Sequence, residues 1–186
     1  MLTHVASQNI DMKILSYLDS GYAPFVRRLN RRALPEPGTR DLVSQIIAEV
    51  AAAHLAMENL DDVALDRLTE LSAIGYDPDD HESLLTYVGV NAEFHDIIAG
   101  ASGNRRLADL VSRLVMESSR FIQVAVLSEE HGRQVSEQHV AIINALRERD
   151  ADAVASTIRA HVEGRLNVTL ECFLAGVTHS SSNGSH

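Results

Sequence analysis

From residue 41 to about residue 174 the chain is a succession of segments in which apolar residues recur at helical spacing, separated by short polar breaks. This periodicity constrains the fold most, because an apolar stripe on a helix must be buried against another element. Leu42, Val43, Ile46, Ile47 and Val50 mark one stripe, and Leu84, Leu85, Val88, Phe94 and Ile97 mark another. A third runs through Leu107, Leu110, Val111, Leu114, Val115, Ile122 and Val126, and a last through Val154, Ile158, Val162, Leu166 and Val168. The breaks carry helix-start signals: Asn59 ahead of Asp61 and Asp62, DPDD (77–80), Asn104 after GASGN, Ser128 before two glutamates, and Asp150. No strand-length alternation is convincing after residue 40. The predicted fold is all-α, a single antiparallel bundle of about six helices with short connections.

Composition supports this reading. Aromatic residues make up 4% of the chain and Trp is absent, so the core must be aliphatic, which favours helix on helix over a β-sandwich. Hydrophobic residues at 45% and charged residues at 23% exclude global disorder. The net charge of −10 disfavours nonspecific nucleic-acid binding by the chain as a whole. The charge is uneven, however. Lys13, Arg27, Arg28, Arg31, Arg32 and Arg40 outnumber Asp11, Asp19 and Glu36 in residues 1–40, giving +3 there and leaving −13 for the rest.

The run RRLNRRALPEPGTR therefore reads as a basic arm on an acidic body, either a solvated linker or a remnant of a DNA-binding segment. PEPGT (35–39) is expected to break any helix and to mark the boundary. The division expected is an arm over 1–40, a helical domain over 41–174 and a disordered tail over 175–186. The single cysteine, Cys172, excludes an internal disulfide and fits a reducing cytoplasm. No apolar run of membrane-spanning length and no signal-peptide pattern occur, so no membrane partner is expected.

Nine histidines occur. His4, His179 and His186 lie near the ends, His81 opens a helix, and His131 follows two glutamates and reads as solvated. His54 lies on an apolar face, where a lone histidine is usually a satisfied core residue. His95, His139 and His161 remain, each sharing a face with apolar residues of a different helix. His139 aligns with Ile143 and Leu146, and His161 with Val154 and Ile158. Three imidazoles converging from three helices suggest a shared partner, and neutral imidazole suits zinc and related transition metals. Asn91, one turn before His95, projects from the same face.

The segments NAEFHDIIAGASGNRRL (91–107) and SEQHVAIINALRERDADAVASTIRAHV (136–162) resemble the FCD effector-binding domain of FadR-type GntR transcriptional regulators. In that family an Asp or Asn lies one turn before a histidine, ahead of a small-residue turn. A second histidine and a third, in the last helix, complete the pattern. The resemblance extends more loosely over 41–174. It implies an all-helical homodimer that binds a divalent transition metal, zinc or nickel, together with a small organic carboxylate. Asn91, His95, His139 and His161 are the implied metal ligands.

Three departures from the family pattern matter. Asn91 stands where aspartate is commoner, so the donor set carries no charge of its own. Gln45 stands where relatives often place an effector-holding arginine, four residues before the glutamate matched by Glu49. Arg120 and Arg165 are then candidates to offer a guanidinium fork to the carboxylate. Finally, no complete winged helix-turn-helix is legible in residues 1–40, so DNA contact would run through that segment or a partner chain. Two other readings are a metal-dependent hydrolase, for which Glu93 and Asp96 are the nearest acids in sequence but point away from the histidine face, and a ligand-free dimerisation partner.

Overall fold

A computed structural model describes residues 36–124 and 129–165, with side chains described within 43–119 and 131–165. Within those residues the chain forms six helices: α1 Glu36–Ala56, α2 Asp62–Ser72, α3 His81–Ala101, α4 Arg105–Val124, α5 Glu129–Glu148 and α6 over 151–165. No strand occurs among the described residues, and the fold is all-α as the periodicity predicts. Residues 1–35, Ser128, Cys172, the part of the predicted last helix after residue 165 and the predicted tail lie outside the described residues.

The helix starts follow from short acceptor side chains that satisfy otherwise unpaired N–H groups. The Asp80 carboxylate accepts from Glu82 N at 2.9 Å, Asn104 Oδ1 from Leu107 N at 3.2 Å, and Asp150 Oδ1 from Asp152 N and Ala153 N at 3.0 Å. At α2 the cap is Asp61, which accepts from Ala64 N at 2.8 Å, rather than Asn59. Asn59 works on helix ends instead: its Nδ2 donates to Ala101 O at 2.9 Å and to Leu55 O at 3.3 Å. Two of its available partners are bare C-terminal carbonyls, for which an amide is the better donor. PEPGT does not break the first helix, because α1 already begins at Glu36. Pro37 falls in the first turn, where the missing N–H has no intrahelical acceptor to lose.

The described residues from Ser44 onward belong to one compact unit. Its main core joins five helices: Ala53 and Ala56 of α1, Leu65, Leu68 and Leu71 of α2, Phe94 and Ile98 of α3, Ile142, Ile143 and Leu146 of α5, and Val154 and Ile158 of α6. A second cluster packs Ala48 and Ala52 of α1 and Ala99 of α3 against Val111, Leu114 and Val115 of α4. The alanines on α1 allow its backbone to sit close to neighbours on two sides. Ile47 and Leu85, expected on apolar stripes, are 38% and 47% exposed. They occupy the flanks of helices whose centres are already filled. Surface pairs such as Arg67–Glu93 (2.8 Å) and Arg147–Asp66 (3.0 Å) link α2 to α3 and α5, and solvent screening leaves them little weight in stability.

Apolar packing gives way to polar residues at one end of the main core. Glu49 lies one turn before Ala53, His95 three residues before Ile98, His139 three before Ile142, and His161 three after Ile158. Four helices thus bring their polar turns to the same place.

Candidate metal centre

His95, His139 and His161 are all buried, and their ligating nitrogens lie within 4.8 Å of one another. The ring centroids are 5.7 Å apart for His95–His139, 5.2 Å for His95–His161 and 4.8 Å for His139–His161. The Nε2 atom of each ring is buried without a hydrogen-bond partner. Leaving such atoms unsatisfied costs about 1–3 kcal/mol apiece, which a polar core does not tolerate without a compensating ligand. A cation of the zinc or nickel class fits this donor set, since neutral imidazole nitrogens this close together from three helices are ligands such ions prefer.

The other ring faces are held. His95 Nδ1 lies 3.0 Å from Glu49 Oε2. His161 Nδ1 lies 3.1 Å from Gln138 Oε1. His139 stacks flat on Phe94, with centroids 3.9 Å apart and 12° between planes. Burial, reinforced by the charges nearby, holds His139 and His161 well below the usual imidazole range, so both rings are neutral and able to ligate at neutral pH. Asn91 is buried on the same face of α3, with Nδ2 lacking a partner. An amide rotated by half a turn presents oxygen where nitrogen stood, so this end of Asn91 can offer a lone pair as well as a donor.

Gln45 is buried, but its Nε2 donates to Glu49 Oε1 at 2.6 Å. Its observed partner is therefore the glutamate one turn on. Burial alone would push the Glu49 carboxyl up. The attraction of His95, hydrogen bonds from His95 and Gln45, and the Arg165 charge outweigh it and leave the carboxyl below its usual value. Arg165 is buried too, its Nη2 donating to Ser118 Oγ on α4 at 2.7 Å. Burial lowers its guanidinium from the usual range, against the pull of Glu49 and of Tyr87. Arg120 lies on α4, and its side chain is outside the described residues.

His131 is buried, contrary to the solvated position its acidic neighbours suggest. Its side chain falls on the inward face of α5 two turns before His139, and burial followed by the Arg165 charge lowers its pKa. His54 is half-buried and joins neither core cluster. Glu93 and Asp96 are exposed and engaged elsewhere, with Arg67 and Ser112 respectively. Gln138 was not legible in the sequence as a partner of His161, since it precedes a histidine and carries no pattern of its own. Glu49 did leave a signal: it is an acid on an apolar stripe, where an ionised group needs a partner.

The FCD domain family matches residues 46–164, which include the four implied ligand positions. The Uncharacterized HTH-type transcriptional regulator BphR of Paraburkholderia xenovorans (strain LB400) is 24% identical over 78 residues, covering 42% of this chain and 32% of that protein. The chain thus spans about a third of the length of the curated relative it matches. Among solved structures, a Streptococcus agalactiae GntR is similar in fold, with a TM-score of 0.52 and 20% identity over 73% of this chain and 62% of that one. With the family match extending over most of the bundle, this chain belongs to the FCD domain family.

Proposed function

We propose that this chain is the effector-sensing part of a GntR-type transcriptional regulator, holding a divalent transition metal and a small organic carboxylate. His95, His139, His161 and Asn91 would hold the cation, zinc or nickel. Bound there, it supplies a Lewis-acidic centre with positions left for a carboxylate. The carrying observation is the set of three buried Nε2 atoms from α3, α5 and α6, all without hydrogen-bond partners, on rings whose ligating atoms lie within 4.8 Å of one another. Because those nitrogens come from three helices, filling the site biases how the helices sit. A DNA reader attached to the bundle would feel that bias. The bundle would act as a homodimer, and the basic N-terminal residues or a partner chain would meet DNA phosphates.

Hydrolysis is less well supported than sensing. A metal-activated water needs a free base beside it. Both oxygens of Glu49 are occupied by Gln45 and His95, while Glu93 and Asp96 face outward. The test is metal content by mass spectrometry on untagged protein purified without chelator, for wild type and His139→Ala. About one metal per chain, lost in the variant, is the expected result. Wild-type protein that takes up neither zinc nor nickel overturns the proposal.

A further inference from the structure

We infer that Glu49, braced by Gln45, is a positioning residue for the cation: it fixes the tautomer of His95 and lends the donor set the negative charge that Asn91 does not bring. This rests on the metal reading above. The supporting geometry is a continuous chain of buried groups. Gln45 Nε2 donates to Glu49 Oε1 at 2.6 Å, and Glu49 Oε2 faces His95 Nδ1 at 3.0 Å. Their exposures are 1%, 4% and 2%, so bulk solvent does not reach either contact. A carboxylate can only accept at Nδ1, which places the His95 proton there and leaves Nε2 with its lone pair toward His139 and His161.

The three rings are not equivalent in this respect. His161 meets a neutral amide and His139 lies against a phenyl ring, so among the described contacts Glu49 is the anion set on a ligand ring. An imidazole that donates to a carboxylate is a more basic ligand than one donating to an amide. The charge missing at Asn91 is thereby restored one residue further out. Gln45 contributes by occupying the second carboxylate oxygen, which keeps Glu49 from rotating away and from reaching the cation itself.

The experiment uses chelator-treated full chain, wild type and Glu49→Gln, titrated with cobalt(II) against a competing chelator and followed by visible absorption. Glu49→Gln keeps the shape and an acceptor but removes the charge, and is expected to weaken cobalt binding by about 10–100-fold at unchanged stoichiometry. Gln45→Ala is expected to weaken it less. In parallel, long-range proton–nitrogen NMR on the metal-free wild type is expected to show the His95 proton on Nδ1, shifting toward Nε2 in Glu49→Leu. A purely structural glutamate would lower the melting temperature without moving that proton. Cobalt affinity in Glu49→Gln within about threefold of wild type overturns the inference. So does a wild-type His95 protonated on Nε2, a readout that holds even if the variant does not fold. Failure of the wild type to bind cobalt would instead overturn the metal reading itself.

Discussion

Acidification should destabilise the metal-free protein well above the pH at which carboxylates titrate. His139 and His161 are buried, and burial holds both well below the usual imidazole range near 6.5. Below pH 6.5 the unfolded chain therefore binds protons that the folded chain refuses. Stability is fully present above that pH and is lost as pH falls. In the unfolded state the two rings titrate independently, and in the folded state burial opposes protonation of both, so their contributions add. Each loses about 1 kcal/mol between pH 7 and 5.5, or about 2–3 kcal/mol together. His131, lowered by burial and by Arg165, acts in the same direction. Glu49 does not contribute in this window, since its carboxyl is held below 4.5 and its stabilisation is lost only at more acid pH. The assay is urea unfolding of chelator-treated protein across the interval, with His139→Leu as control. The slope should fall to about half in that variant. A wild-type stability that changes by less than about 0.5 kcal/mol would refute the reasoning, because both rings would then accept a proton in place.

Phe94 is fully buried and forms the surface on which His139 lies, so Phe94→Ala should cost about 3–5 kcal/mol in urea unfolding and loosen the histidine with it. Arg149 follows α5 with φ of 54°, and Asp150 N donates back to Ala145 O at 3.1 Å, a helix-ending motif that favours glycine. Arg149→Gly should therefore raise stability by about 0.5–1 kcal/mol, seen as a melting temperature about 1–4 °C higher. Asn91→Asp should tighten cobalt binding and reduce the further tightening that added carboxylate brings; equal values in both proteins would speak against Asn91 as a donor.

The architecture was legible because most helices announce themselves by an apolar stripe, by a capping residue or by both. Asp80, Asn104 and Asp150 cap as their positions suggest. The errors arose where a residue had two uses. Asn59 suits a helix start, yet its amide reaches the carbonyls of Leu55 and Ala101, a contact to a residue 42 positions away that no local pattern encodes. Pro37 breaks helices in general but not in their first turn. The inward histidines were legible because imidazole on a core stripe is unusual, and His131 was missed because Glu129 and Glu130 made its surroundings look wet. The residues orienting the rings were harder still. Glu49 and Gln138 meet histidines 46 and 23 positions away, and only packing of α1 on α3 and α5 on α6 brings them there.

The charges around the histidines explain why an asparagine is tolerable at position 91. In the metal-free interior Glu49 and Arg165 are opposite charges that attract one another, and burial keeps His139 and His161 neutral. The compartment is balanced, which limits the cost of burying either ion. An aspartate at 91 would add a second carboxylate near Glu49 and unbalance the empty state; asparagine does not. On the proposed reading the imbalance is transferred to the loaded state, where a divalent cation adds two positive charges that only Glu49, through His95, partly offsets. An anionic effector answers the remainder, so cation and carboxylate each strengthen the other's binding by the same factor. A sensor built this way responds to the two together more than to either alone. Calorimetry of carboxylate binding with and without cobalt, set against cobalt binding with and without carboxylate, must return that one factor twice.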